Sequence, residues 1–222
     1  MRTIERGLSD FDSRHNLSFN YFYPLPFGRG QSWLASGPAA AIIGGWRLGG
    51  IVRYRTGTPL SPGLSVRKPG YLFEATRPNL APGQSNDPAT EGLSAGCGAN
   101  NATFAGDELG TPRRYFDPCN YVFPGFGNIG NAGRNTITGP NLFATDVSLQ
   151  RDFSVGGDRR LQFRMEMFNF INHTNFSGPR GSALSVFTGI TAGVPRINSS
   201  AGRISGTSTT ARQVQFALRL SF

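Results

Sequence analysis

Few residues in this chain have the type and spacing needed for chemistry, and the first group lies near the start. Asp10, Asp12 and His15 are spaced as D-x-D-x-x-H, a set of oxygen and nitrogen donors that could bind a cation. Short acidic strings before a strand more often cap turns, because Asp side chains accept hydrogen bonds from nearby backbone N–H groups. The whole chain has only two histidines. We therefore expect a turn cap here and no metal site.

Two carboxylates and three glycines are the next candidates. Asp146 and Asp152 share one face of an alternating segment, but glycoside hydrolysis would also need a cleft and a raised pKa on one of them. Gly127, Gly130 and Gly133 are spaced loosely like a phosphate-binding loop, although no P-loop lysine follows them. The sequence thus predicts salt bridges and turn glycines. It predicts no enzyme activity, no catalytic residue and no cofactor.

Both cysteines of the chain, Cys97 and Cys119, lie in one segment rich in Pro, Gly and Asn. In an oxidising compartment such a pair predicts a disulfide, which would stabilise the segment by about 3 kcal/mol if it acts through chain entropy. The alternative is two unpaired thiols. A zinc site is not expected, because no second pair of ligands stands at metal spacing.

An excess of arginine gives the chain a net charge of +9 and a pI of about 10.5. Such a charge suggests a polyanionic partner. The arginines are scattered, however, and the basic pairs at 113–114 and 159–160 are too short to be nucleic-acid tracts. We expect no nucleic-acid partner. Anionic lipid head groups, or a network of charges inside a barrel, explain the charge equally well.

The elements that carry these residues are strands, and the clearest is the last segment, 212–222. Apolar and polar residues alternate through its eleven residues without a break, and period two indicates a strand. A tilted strand of this length covers roughly 28 Å, close to the apolar band of an outer-membrane barrel. The alternative is the edge strand of a soluble sandwich. The apolar residues near its end are Phe216, Leu218, Leu220 and Phe222.

Four more segments alternate in the same way, at 14–23, 46–56, 142–153 and 159–171. Each has an apolar face and a polar face. Burying the arginines of the polar face in a soluble sandwich would be costly, whereas inside a wide, wet barrel they are ordinary. The predicted lumen-facing charges are Arg47, Arg53, Arg55, Asp146, Asp152, Arg160, Arg164, Glu166 and Arg219.

Between these segments lie two long stretches, 57–140 and 172–211, with many turn residues and no clear strands. They would be anomalous in a compact soluble domain but suit the outer loops of a large barrel. Within 172–211, the parts 184–190 and 203–207 are candidates for extending strands beyond the bilayer. The sequence thus predicts an all-β fold: antiparallel transmembrane strands forming part of a large outer-membrane barrel, with long extracellular loops.

The turn between the third and fourth segments tests the assignment of faces. A two-residue turn at 156–157 would place Asp152 of the polar face opposite Leu161 of the apolar face, and a slip of one residue mismatches every pair. Paired residue numbers must therefore add to an even sum. We expect a three-residue loop, either 156–158 or 155–157, with glycine supplying the positive φ that such loops need.

Long loops outside and short connections in the periplasm orient the first strand inward and place the C-terminus in the periplasm. Five strands cannot close a barrel, since the smallest have about eight. The first 15 residues lack the apolar core of a signal peptide. The chain is therefore expected to be either soluble or the end of a longer protein whose upstream strands complete the barrel.

The chain resembles the C-terminal end of TonB-dependent outer-membrane receptors, and most of all the Oar-like group, which has a carboxypeptidase-regulatory-like domain at its N-terminus. The resemblance covers nearly all of residues 1–222 in order. It is carried by the segments SDFDSRHNLSFNYFYPLPFGRG, IGGWRLGGIVRYRTGTPLSP, YFDPCNYVFP, FGNIGNAGRNTITGPNLFATDVSLQRDF, RRLQFRMEMFNFINHTNFSGP and ARQVQFALRLSF.

This resemblance implies the last part of a barrel of about 22 strands with a plugged lumen, located in the cell outer membrane. The implied partners are outer-membrane lipid, the barrel-assembly machinery, and upstream strands with a plug domain. TonB would be reached only through that N-terminal part, because this sequence holds no plug and no TonB box. The assembly signal that the barrel-assembly machinery would read in the C-terminal strand comprises Phe216, Leu218, Leu220 and Phe222. The implied role is uptake of a substrate that the sequence does not identify; the alternative is a surface binding or adhesion module without transport.

Overall fold

The computed structural model describes residues 6–28, 30–66, 77–98 and 103–222, and the regular structure in them is almost entirely β. The strands are β1 (Asn16–Pro24), β2 (Trp46–Arg55), β3 (Pro59–Leu60), β4 (Gly63–Ser65), β5 (Asn79–Leu80), β6 (Tyr121–Val122), β7 (Ile137–Thr138), β8 (Leu142–Ser154), β9 (Arg160–Phe168), β10 (Ser185–Thr191), β11 (Val194–Ile197) and β12 (Gln213–Ser221). The helical pieces are α1 (Pro38–Ile43) and two 3-10 turns, Pro118–Asn120 and Gly181–Leu184. No helix within the described ranges is long and apolar enough to cross a membrane.

The chain divides into two compact units. The sheet unit comprises His15–Arg55, Leu142–Asn175 and Thr209–Phe222. The loop unit comprises Met1–Arg14, Thr56–Asn141 and Phe176–Ser208.

The sheet unit is built on one antiparallel sheet of five strands in the order β1-β2-β8-β9-β12. The predicted strands correspond to these five in chain order. The prediction for the fourth, 159–171, is wrong at its end, because β9 stops at Phe168. Asn169 and Asn172 adopt positive φ of 48° and 54°, and the N–H of Asn172 donates to the carbonyl of Asn169 at 2.8 Å. Asparagine tolerates this left-handed turn better than most residues, so the strand ends there.

The register brings residues of like character together across all five strands. One apolar row runs from Tyr23 to Leu48, Leu149, Met165 and Phe216. The adjacent polar row joins Arg47, Gln150 and Arg164. The apolar and polar faces predicted strand by strand therefore form two continuous surfaces of one sheet.

The β8–β9 hairpin has the first of the two predicted loops, 156–158. Ser154 pairs with Arg160, and the N–H of Val155 donates to the carbonyl of Arg159 at 3.1 Å. Gly156 and Gly157 have φ of +101° and +58°, which a side chain would disfavour. The parity argument for a three-residue loop is confirmed.

The loop unit has structure that the sequence did not reveal. The interpretation of 57–140 and 172–211 as stretches without strands is wrong, although 67–76 and 99–102 lie outside the described residues. β3 pairs with β7, β5 pairs with β6, and β11, β10 and β4 form a three-stranded sheet. These strands have two to seven residues, too few for most of them to show a period.

The predicted extension of membrane strands by 184–190 and 203–207 is also wrong. β10 instead pairs with β11 and β4 inside the loop unit, and the described bridge in the second segment joins Thr207 to Phe176. The loop unit has its own apolar core, made of Val66, Phe116, Tyr121, Ala132, Ile137, Val186 and Phe187. This core is assembled from residues far apart in the chain, so local patterns do not show it.

A buried arginine links two segments of the loop unit. The side chain of Arg114 is only 6% exposed, and its Nε lies 3.1 Å from Asp107 Oδ2. Its Nη2 donates to the carbonyl of Ser199 at 3.2 Å, and its Nη1 donates to the carbonyl of Ala201. The guanidinium carbon lies 4.0 Å from the ring centroid of Phe104. One charged side chain thus satisfies a carboxylate and two carbonyls.

The same unit contains a disulfide between Cys97 and Cys119. The bond joins residues 22 positions apart, which restricts the unfolded chain. Asp117 accepts a hydrogen bond from the N–H of Cys119 at 2.9 Å, and from the hydroxyl of Ser94 at 3.1 Å. The disulfide therefore lies in a hydrogen-bonded part of the loop unit.

Replacing Arg114 should loosen the loop unit, and the neighbouring Arg113 provides a matched control. Arg114→Met removes the buried partner of Asp107 and leaves two carbonyls without the guanidinium that donates to them, so we expect local stability to fall by about 3 kcal/mol or more. Arg113 has a side chain that is 80% exposed and lies 3.4 Å from Asp107, so Arg113→Met should change stability by less than about 1 kcal/mol. Hydrogen exchange at the amides of Tyr115 and Ile204 measures both variants; equal protection in the two would contradict the assignment.

Cys97 and Cys119 should be oxidised to each other in exported protein. Alkylation without a reductant, followed by mass spectrometry, should leave both residues unmodified. Alkylation after reduction should modify both. Two modified thiols in the sample without reductant would contradict the prediction.

Candidate functional site

The polar face of the sheet carries every predicted lumen-facing charge and pairs several of them. Arg53 Nη2 lies 2.9 Å from Asp146 Oδ2, and Arg47 pairs with Asp152. Both pairs join β2 to β8. Asp152 also accepts a hydrogen bond at 2.9 Å from the amide of Gln162 on β9. The two ion pairs and the hydrogen bond from Gln162 together link three neighbouring strands.

A third ion pair lies within β9, where Arg164 Nη2 is 2.5 Å from Glu166 Oε1. These pairs are partly exposed, and exposed pairs contribute only about 0–1 kcal/mol each to stability. Arg55, Arg160 and Arg219 lie on the same face, so six arginines stand against three carboxylates. The polar face is therefore cationic.

The paired carboxylates do not form a hydrolytic site. Asp146 and Asp152 lie six positions apart on β8, which separates them by roughly 20 Å in an extended strand. Glycosidase carboxylates lie within about 10 Å of each other. Asp146 also accepts the backbone N–H of Asn169 at 2.9 Å. Asp146 therefore binds the backbone of the turn that follows β9.

The acidic string near the start is a structural contact in the loop unit. Asp10 accepts a hydrogen bond from the amide of Asn135 at 2.6 Å and lies 3.4 Å from the guanidinium of Arg134. The hydrogen bond from Asn135, with a smaller effect from Arg134, lowers the pKa of Asp10 below its usual value. Within the described ranges, no cluster of three or more His, Cys, Asp or Glu side chains could hold a metal ion.

Two of the three spaced glycines, Gly130 and Gly133, occupy crowded backbone positions. A Cβ on Gly130 would lie 2.0 Å from the carbonyl oxygen of Arg77. The N–H of Gly133 donates to the side chain of Asn86 at 2.7 Å. Gly127 has φ of +78°. Close packing and turn geometry explain these residues without a phosphate ligand.

The apolar face is exposed over most of β12. Phe216 is 65% exposed, Leu218 is 70% exposed and Phe222 is 95% exposed; Leu220 is exposed as well. Contiguous apolar surface of this kind on a water-soluble protein would indicate an interaction site. The face is uniformly apolar along β12, so it matches a hydrocarbon environment.

One charge on the apolar face was missed from the sequence. Arg151 pairs with Trp46 on one side and Phe163 on the other, both of which belong to the apolar face. Its odd number on β8 was a sufficient signal, because Phe143, Val147 and Leu149 share that parity. The polar atoms that accept its hydrogen bonds lie in another element and leave no local trace in the sequence.

The loop unit also contains an open cleft of about 1190 Å³. Its lining includes the disulfide, the rings of Phe123 and Phe187, and the side chain of Arg196. The two rings stand edge to face with centroids 6.0 Å apart. Aromatic surface beside a cation can bind small polar molecules with an apolar part. Nothing in the sequence pattern indicated this cleft.

Comparison with known proteins identifies the family. A family model described as "Outer membrane beta barrel domain" matches residues 1–215. No curated protein and no solved structure matches the chain. The match covers almost the whole chain and agrees with the long antiparallel strands and their two faces, so the protein is located in the outer membrane. The chain belongs to the outer membrane beta barrel domain family.

Proposed function

We propose that this chain forms part of the wall and outer loops of a TonB-dependent transporter of the Oar-like group, which takes up a substrate across the outer membrane. The observation that carries the proposal is the pair of continuous faces, one apolar and one cationic, over five neighbouring strands. A wall between lipid and a wet lumen needs this arrangement. In this role the chain binds and guides, and it carries out no catalytic step.

The edges of the sheet support a larger barrel. β1 and β12 each have one strand neighbour in the described part of the sheet. Known barrels close with about eight strands or more. We propose that upstream strands complete the wall, that a plug domain fills its lumen, and that TonB acts through that part. The barrel-assembly machinery would recognise β12, and outer-membrane lipid would cover the apolar face.

A second candidate function rests on the loop unit. Its own core, disulfide and cleft are those of a folded binding surface. A surface binding or adhesion module would use that unit without any transport. The reading frame upstream separates the two functions: a plug and a TonB box encoded there favour transport. In the full-length protein, photo-cross-linking of that box to TonB tests the coupling directly, and an upstream frame without a plug would overturn the transport proposal.

The terminal aromatic residue should matter for assembly. Deleting Phe222 from the full-length protein removes the exposed ring at the end of the apolar face, so we expect several-fold less folded barrel in the membrane. The measurement is the amount of heat-modifiable protein on a gel. Ser221→Ala, on the polar face, is the control and should assemble normally. A normal level of folded barrel after the deletion would refute the prediction.

The two faces should meet different surroundings. Spin labels on the apolar face should collide with oxygen dissolved in lipid, and labels on the polar face should collide with polar reagents. Met165 and Arg164 are the sharpest pair, because they are neighbours on β9 and differ only in the face. The remaining apolar sites are Val147, Phe163, Phe216 and Leu218, and the remaining polar sites are Arg47, Arg53 and Arg219. The reverse pattern would reject the register.

A further inference from the structure

The described part of the connection between β1 and β2, residues 25–45, is held together by backbone hydrogen bonds and close packing. The N–H of Trp33 donates to the carbonyl of Pro26 at 3.1 Å. A Cβ on Gly28 would lie only 2.4 Å from the Cα of Gly44. The chain before Trp33 therefore packs directly against the end of α1, and only glycine allows this close approach.

Two side chains of the apolar face hold α1 in place. Arg151 donates to the carbonyls of Ala41 and Ile42. The indole Nε1 of Trp46 donates to the carbonyl of Ile42 at 3.2 Å. A cation at the last carbonyls of a helix satisfies acceptors that have no partner within the helix. Since Arg151 and Trp46 both belong to the apolar face, α1 is tied to that side of the sheet.

Two aromatic rings lie close to the guanidinium of Arg151. Its carbon lies 4.4 Å from the ring centroid of Phe153 and 5.8 Å from that of Trp46. Contacts of this kind stabilise a cation at the boundary between apolar and polar surroundings. Arg151 lies near the end of β8, on the apolar face, and this position fits that boundary.

This connection exposes four large apolar side chains. Ile42 is 71% exposed and Trp33 is 63% exposed; Leu34 and Ile43 are exposed as well. The sequence has no acidic residue between Asp12 and Glu74. Large apolar side chains among uncharged polar residues, continuous with the apolar face of the sheet and next to an arginine, complement the boundary of a phospholipid leaflet.

We propose that α1 and the Trp33 turn form an interfacial anchor that binds phospholipid at this end of the barrel wall. Ile42, Ile43 and Trp33 enter the boundary between acyl chains and head groups, and Arg151 supplies positive charge at the depth of the phosphates. The assignment to the periplasmic leaflet rests on the proposed barrel and on the orientation predicted from its long outer loops and short periplasmic connections. The contact with lipid follows from the side of the sheet to which α1 is tied.

Spin labelling in phospholipid vesicles tests the anchor. The full-length protein is labelled at Ile42→Cys and reconstituted in vesicles of phosphatidylethanolamine and phosphatidylglycerol. Asp158→Cys, exposed in the β8–β9 loop, is the matched control. We expect the ratio of oxygen to nickel-reagent collisions to be several-fold higher at position 42 than at position 158. Equal ratios would overturn the proposal. Protection from both reagents would indicate a protein partner and would overturn it too.

A second variant tests the tether. Arg151→Gln in the protein labelled at position 42 should lower the oxygen-to-nickel ratio several-fold and increase the mobility of the label. Arg160→Gln, on the polar face, is the control and should leave both unchanged. An unchanged ratio and mobility in Arg151→Gln would overturn the role of this arginine. A barrel that fails to couple to TonB would still give the high ratio at position 42, so the two proposals fail separately.

Discussion

The structure of the sheet depends on one constraint: all five strands must place their apolar side chains on the same face. Side chains alternate across a strand, so a shift of one residue in any pairing would send phenylalanines to the polar side and arginines to the apolar side. The antiparallel pairings keep Leu48, Leu149, Met165 and Phe216 in one row. The three-residue loop between β8 and β9 exists because of this constraint. The two Arg–carboxylate pairs between β2 and β8 follow from it as well, because the register places both partners on the same face of neighbouring strands.

The loop unit is stabilised by different means. It has few long strands, and its core consists of residues brought together from distant parts of the chain. Where two segments of this unit meet, the side chain of Arg114 donates hydrogen bonds to Asp107 and to two backbone carbonyls. The disulfide limits the freedom of the same region. A unit built in this way has a defined surface, which a flexible loop would lack.

The sequence predicted the sheet because strands of about nine or more residues display their period clearly. It did not predict the loop unit, whose short strands show no period and whose core depends on contacts between distant residues. Asn169 ended β9 early through a left-handed turn that an alternation of apolar residues cannot show. The pairing of Cys97 with Cys119 needed no geometry, because the chain offers no other cysteine. Arg151 could have been placed on the apolar face by parity, but its acceptors on α1 were invisible in the sequence.

The ends of the segment between β2 and β8 are joined within the loop unit itself. Gly57 donates its N–H to the side chain of Asn141 at 3.1 Å, and Pro59 pairs with Thr138. Pairing two strands across a chain of this length carries an entropic cost that grows with the logarithm of the number of free residues. Once the loop unit has folded, that number falls from the whole segment to the few residues at its stem. β2 and β8 then meet as the arms of a hairpin do, at the entropic cost of closing a short loop.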